Sequence, residues 1–246
     1  MKSRHVIVSL KDLKEEVTIQ MYQLMNRYYD NLHKNKFLTD LYQKDGVLLV
    51  YDQNDVLSGF TTYTIFEAVF RREKIKFLYS GDTVMSEEFW GHMTTPKTFM
   101  SLIQKCLMEA QGPFYWFLLT KGIRTYRLLP LYFKKYYPSP KFETPDFERT
   151  LIEYLANLKF GNSYSGKDGV IRLDPPADRL KENFVSISEN KLDDPYVQFF
   201  MKKNSGYVKG DELPCLARIS LDNLTPISQR WLRLIEEYEQ SELIIK

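Results

Sequence analysis

The sequence predicts a mixed α/β (α+β) architecture: a mostly antiparallel central sheet flanked by helices, followed by a C-terminal extension. Three observations carry this prediction. Apolar runs of strand length alternate with segments whose apolar residues recur at helical spacing. Two of the runs, Gly46–Tyr51 and Val56–Phe66, flank the turn Asp52-Gln53-Asn54-Asp55 and read as a hairpin. A third, Phe114–Leu119, is apolar at every position, which suits a strand covered on both faces.

Taken in order, His5–Leu10 reads as a strand. Glu16–Asn31 reads as a helix carrying Ile19, Met21, Leu24, Met25 and Tyr28, and Lys34–Gln43 as a shorter one with Phe37, Leu38, Leu41 and Tyr42. After the hairpin, the charged step Arg71-Arg72-Glu73-Lys74 leads into a strand over Ile75–Val84. Pro96–Ala110 is helical, with Phe99, Leu102, Ile103 and Cys106 on one face and a proline suited to the first turn. Gly112-Pro113 ends that pattern before Phe114–Leu119. Thr125–Tyr136 reads as helix interrupted at Pro130. Past Pro138 a linker-like stretch precedes a helix over Phe147–Leu158, a short strand over Gly169–Leu173, a helix over Pro195–Lys203, a strand over Leu213–Ser220 and a last helix over Ile227–Glu239.

Composition narrows the function classes. A chain of 246 residues fits one large domain or a core plus an appendage. Its 34 basic against 32 acidic residues leave a net charge of +2, which gives no reason to invoke nucleic acid. Cys106 and Cys215 lack the spacing of a zinc site or a disulfide framework, so buried free thiols and no metal are expected. The first residues turn charged too early for a signal peptide, and no run approaches the roughly 18 apolar residues of a spanning helix. A soluble, cytoplasmic protein is the expectation.

The most informative stretch is Phe77–Gly91, FLYSGDTVMSEEFWG. An apolar strand runs into a polar step and a short loop, and a helix opens near Pro96. Backbone N–H groups at such a helix start hold anions, so a phosphate-bearing ligand is expected there.

This element order resembles the GCN5-related N-acetyltransferase (GNAT) fold, over roughly the first 140 residues. There, a strand and two helices precede an antiparallel meander, whose last strand feeds a pyrophosphate-binding loop and helix. The resemblance makes Ile75–Val84 the fourth strand, Met85–Thr95 the loop, Phe114–Leu119 the fifth strand, and Leu131–Tyr137 the family's tyrosine segment. It implies a core over 1–140, with 141–246 completing the sheet or lining an acceptor site. The family loop, Arg/Gln-x-x-Gly-x-Gly/Ala, aligns with Trp90-Gly91-His92-Met93-Thr94-Thr95, where only Gly91 is a glycine and Met93 takes the central small position. A β-carbon there blocks the closest backbone approach to the pyrophosphate of coenzyme A. In that departure, and in length, the chain looks more like N-acyl amino acid synthases and acyl-homoserine lactone synthases.

The resemblance implies acyl transfer from a coenzyme A or acyl carrier protein thioester to a small amine or amino acid. Acyl-CoA or acyl-phosphopantetheine would then be the co-substrate. It makes Tyr132 the general acid and Asp82, at the end of the fourth strand, the base or orienter. Phe89, Trp90, Gly91, His92 and Met93 form the phosphate-facing loop, with Lys121 and Arg124 available to dock phosphate or a carrier protein. Each has a plainer alternative: Asp82 as a turn cap, Tyr132 as a tyrosine at the core rim, His92 as an exposed bystander, and the basic residues as a solvated helix face. Asp211 or Glu212 are further candidates for holding an amine. The rival function is a catalytically inactive binding or regulatory protein on the same scaffold, taking an acyl or aromatic ligand or a protein partner.

Overall fold

The computed structural model describes residues 3–91, 94–173, 178–185, 187 and 191–244, the side chains of 94, 95 and 238–244 excepted. β1 (Arg4–Ser9) leads into α1 (Glu15–Tyr28), the two-residue strand β2 (Tyr29–Asp30) and α2 (Lys34–Leu41). β3 (Gly46–Tyr51), β4 (Leu57–Phe70) and β5 (Glu73–Met85) follow as an antiparallel meander. Next come α3 (Thr94–Glu109), β6 (Phe114–Thr120), and the short helices α4 (Ile123–Tyr126) and α5 (Leu128–Tyr132). Beyond residue 140 lie α6 (Asp146–Phe160), β7 (Tyr164–Ser165), β8 (Val170–Ile171), β9 (Arg179–Leu180), α7 (Glu182–Val185), α8 (Pro195–Lys203), β10 (Leu213–Arg218) and α9 (Pro226–Ile244).

One six-stranded sheet organises these elements, in the order β1-β3-β4-β5-β6-β10. Only β5 and β6 run parallel; every other neighbouring pair is antiparallel. A parallel pair needs a crossover, and α3 supplies it. The expected mixed, mostly antiparallel sheet with flanking helices is thus the sheet observed. Its sixth strand, β10, comes from the C-terminal region.

Strand alternation assigns the helices to faces. Leu78, Trp116, Leu118, Cys215 and Ala217 point to the face covered by α3, α5 and α9, where they meet Phe99, Leu102, Ile103, Leu129, Trp231 and Leu232. Their neighbours Phe77, Tyr115, Phe117 and Leu216 point the other way, against Leu151, Ile152 and Leu155 of α6. At the β1 end, Val47, Leu49 and Phe60 face Met21, Leu24 and Met25 of α1 and Phe37 and Leu41 of α2. Phe114–Thr120 is buried at six of seven positions, as the two-sided reading of its sequence requires. Both cysteines are buried free thiols.

Several boundaries differ from expectation, three of them for a visible physical reason. β4 runs to Phe70 rather than Phe66, because Arg71 and Arg72 both take positive φ (49° and 70°) and make a tight two-residue hairpin turn. The helix expected over Thr125–Tyr136 with an interruption at Pro130 is two short helices, α4 and α5, that part at Arg127; Pro130 lies inside α5, which ends at Tyr132. Phe133 turns extended, and C-terminal partners claim the next amides: Lys134 N–H donates to Asn223 O and Tyr137 N–H to Leu216 O. The first helix stops at Tyr28, and the next two residues pair with β9, a strand too short to show a period in sequence.

Candidate active site

The site begins as an irregularity in β5. Thr61 pairs with Thr83 and Tyr63 with Ser80, so Thr62 alone faces both Gly81 and Asp82. The extra residue on β5 is a β-bulge, which bends the strand and re-aims its side chains. The bulge requires glycine: a β-carbon on Gly81 would lie 2.9 Å from Thr62 Oγ1. On its other edge β5 pairs with β6 only from Lys76↔Phe114 to Ser80↔Leu118. Beyond that register the two strands part, and a cleft of about 560 Å³ opens between them.

Asp82 sits in the wall of this cleft, immediately past the last β5–β6 pair. Burial, then the nearby charge of Asp40 on α2, pushes its carboxyl up from the usual 3.8 to about 7; Asp178 adds to the effect, and Lys44 and Lys121 oppose it. Among the described residues its carboxylate has no hydrogen-bond or ion-pair partner that would hold it ionised. In the same lining, Lys121, just past the end of β6, ion-pairs with Asp178 at 2.9 Å and Glu212 at 3.3 Å. Burial alone would lower the lysine's pKa; Glu212, Asp178 and Tyr29 outweigh it and the pKa is raised. Tyr29 and Tyr79 complete this end, their hydroxyls pushed up by burial.

The other end of the cleft is aromatic. Phe89 is buried, while Trp90 donates from Nε1 to Met85 O at 2.8 Å and lies against Tyr28 and Phe184. The Arg124 guanidinium stacks 3.9 Å from the Trp90 ring and donates to Phe184 O. Burial lowers its pKa, with Glu87 opposing. Gly91 takes φ +80°, a conformation that favours glycine, at the turn before α3. Pro96 in the first turn of α3 lines the same mouth, with Arg127 and Lys191.

The residues singled out from sequence thus fall into three groups. Asp82, Phe89, Trp90, Gly91, Lys121 and Arg124 all line the one cleft. His92 and Met93 lie outside the described residues. Tyr132 does not line it: the side chain is fully buried, its hydroxyl donates to Pro96 O at 3.0 Å, and its ring stacks on Phe99. It borders a separate small chamber under the bulge. The basic band does not act as one patch. Lys121 is neutralised inside the cleft, Arg127 pairs with Asp194, and Lys134 donates to Asp222 O. Asp211 turns outward to Arg172, whereas Glu212 faces the cleft. Sequence reasoning missed Asp178, Tyr29 and the apolar strap of Leu180, Phe184 and Val185. Asp178 follows a polar, proline-containing stretch with no periodicity to mark it. Among the described residues no group of histidine, cysteine or carboxylate side chains is arranged to hold a metal ion.

No protein-family model and no curated protein matches this sequence. Solved structures are similar in part. A protein of Enterococcus faecalis described as a probable N-acyltransferase aligns at 13% identity and TM-score 0.40 over 52% of this chain, and the match spans 31% of that protein's length. A GNAT family N-acetyltransferase from Escherichia coli in complex with CoA aligns at 11% identity and TM-score 0.39, over 52% of this chain and 69% of the other. A chain of the NatC complex bound to Gag peptide and CoA aligns at 11% identity and TM-score 0.41, over 89% of this chain and 100% of its own. Overlaps this low leave the fold to be read from the strand order, the single parallel pair and the bulge described above.

Proposed function

We propose that this protein is an N-acyltransferase that moves an acyl group from a thioester of coenzyme A, or of a carrier protein's phosphopantetheine arm, to a small amine. One observation carries the reading: the parallel strands β5 and β6 part at a bulge and place Asp82, titrating near 7, in the wall of a cleft whose mouth is the start of α3. A helix N-terminus and Arg124 in the lining of the same cleft suit the donor's phosphate. A carboxylate that titrates near 7 suits a base for an amine.

In the reaction, the neutral amine attacks the thioester carbonyl; the C–N bond forms and the C–S bond breaks. The amine's proton passes to Asp82, directly or through a cleft water, and the sulfur leaves as thiolate. A simple thiol titrates near about 8.5, so at neutral pH the thiolate can take its proton from solvent. The hydroxyl of Tyr132 would have to give up its bond to Pro96 O to act as acid. Asp178 and Glu212, with Lys121 between them, leave the acceptor end net negative, which favours an approaching ammonium that sheds its proton on binding.

The test is native mass spectrometry and calorimetry with acetyl-, hexanoyl- and dodecanoyl-CoA and an acyl-loaded carrier protein, followed by turnover with an amine panel using the retained donor. Retention of a thioester and amide formation that needs Asp82 support the reading. A folded protein that retains none of these donors overturns it. The second reading, a binding protein without turnover, is favoured by the commitment of Lys121 and Tyr132 to internal partners. It predicts donor or ligand binding with no amide formed from any amine.

A further inference from the structure

Under the bulge lies a second cavity, of about 40 Å³, on the face of the sheet that α3 covers. Leu48, Phe60, Phe99, Trp116 and Leu118 are among its wall residues, and the wall is largely apolar. Most polar side chains on the wall have partners within the protein. Ser80 Oγ accepts from Trp116 Nε1 at 2.8 Å, Thr61 and Thr83 share a hydrogen bond at 2.7 Å, and the Tyr132 hydroxyl donates to Pro96 O. A chamber with a largely apolar wall and few free polar groups gives water little to bind. Thr83, Met85, Thr125 and Leu128 line both it and the cleft, so these side chains form the wall between the two. That shared wall lies where β5 and β6 separate, and Thr83 follows Asp82 directly in β5.

We infer that this chamber receives the acyl chain of the donor and sets its length, so that the preferred donor is a short straight-chain acyl thioester of about four to six carbons rather than acetyl. The inference rests on the acyltransferase reading and names the donor class for that site. Its basis is volume and adjacency. A water-sized group needs roughly 10–15 Å³ of such space, so the chamber holds about three methylene-sized groups. The short way in from the cleft is past the shared wall, between Thr83 and Met85 on β5 and Thr125 and Leu128 opposite. A thioester carbonyl held at the splay beside Asp82 would direct its chain through that passage, and its sulfur back toward the mouth at α3. Each buried methylene tightens binding about fourfold, the equivalent of ~0.8 kcal/mol.

The experiment is a calorimetric comparison of acetyl-, butanoyl-, hexanoyl- and dodecanoyl-CoA on the full chain, repeated with Leu128→Phe and Leu128→Ala after thermal melts confirm that both variants fold. Hexanoyl-CoA is expected to bind at least about tenfold more tightly than acetyl-CoA, with no further gain for dodecanoyl-CoA. The hexanoyl-to-acetyl ratio should fall toward one in Leu128→Phe, and the preferred length should increase in Leu128→Ala. A ratio near one in the natural protein, or one that neither variant moves, overturns the chamber assignment while the acyltransferase reading stands. A steady gain out to dodecanoyl places the chain along the open aromatic cleft and likewise overturns it. If the folded protein binds no acyl-CoA and retains no acyl-loaded carrier protein, the acyltransferase reading and the chamber fall together.

Discussion

Replacing Asp82 with asparagine should damage activity and strengthen the fold at once, with a pH dependence that separates this from ordinary surface effects. Folding raises the carboxyl from the usual 3.8 to about 7, chiefly by burial and by the charge of Asp40. Between those values the folded protein binds a proton that the unfolded chain has released. Asp82 therefore favours the fold at low pH, and that contribution is lost progressively from about pH 4 until the carboxyl has ionised above pH 7. The full shift corresponds to about 4 kcal/mol held against the ionised form. The asparagine side chain has the same shape as the aspartate and never ionises. The thermal midpoint of Asp82→Asn should match that of the natural protein near pH 4 and exceed it by about 10 °C at pH 8, taking 2–4 °C per kcal/mol for a chain of this size. Amide formation should fall by about a hundredfold or more, the usual worth of a general base. Scanning calorimetry at pH 4, 6 and 8 checks the first part and a thiol-release assay the second. A stability gain independent of pH would refute the raised pKa, and full activity would remove Asp82 from the proton path.

Three further outcomes follow from the same geometry. Activity of the natural protein should rise with pH through about 7, as the Asp82 carboxylate becomes available, which a pH profile of kcat/KM reads directly. Tyr132→Phe should lose less than tenfold in kcat and about 1 kcal/mol of stability, because its buried hydroxyl is held by Pro96 O and does not line the cleft; a hundredfold loss in a well-folded variant would return the acid role to it. Lys121→Met leaves Asp178 and Glu212 facing each other at 17% and 13% exposure, and urea unfolding should show a loss of about 3 kcal/mol.

How much of this was legible in the sequence depended on range. The strands were readable because apolar runs such as Phe114–Thr120 announce their own burial, whatever pairs with them. That β10 would close the sheet against β6 was not readable, because nothing in Leu213–Arg218 names a partner almost a hundred residues earlier. The failed stretch of helix after Tyr132 has the same cause: its local pattern is helical to Tyr136, and amide partners at Asn223 and Leu216 override it.

The site divides along the same line. Asp82 was legible as the polar residue where an apolar strand gives out, and the bulge left a mark in the adjacent Gly81. Lys121 was legible as a cation at a strand exit, but its use was misjudged. A phosphate-docking lysine must keep its charge free, and this one spends it on Asp178, 57 residues further on, and on Glu212. That exchange has a consequence for the reading as a whole. With Lys121 neutralised and Arg127 paired with Asp194, Arg124 carries positive charge at the aromatic end, while Asp178 and Glu212 leave the Asp82 end acidic. On the proposed reading, a thioester donor and an amine acceptor would use that separation, each entering from its own end. Gly81→Ala tests whether the bulge holds the two ends apart: its β-carbon would meet Thr62 Oγ1, so straightening β5 is the relief available. The expected result is a loss of about 1–3 kcal/mol in stability together with loss of Asp82-dependent activity, whereas a variant that folds normally and keeps its pH profile would show that the splay does not depend on the bulge.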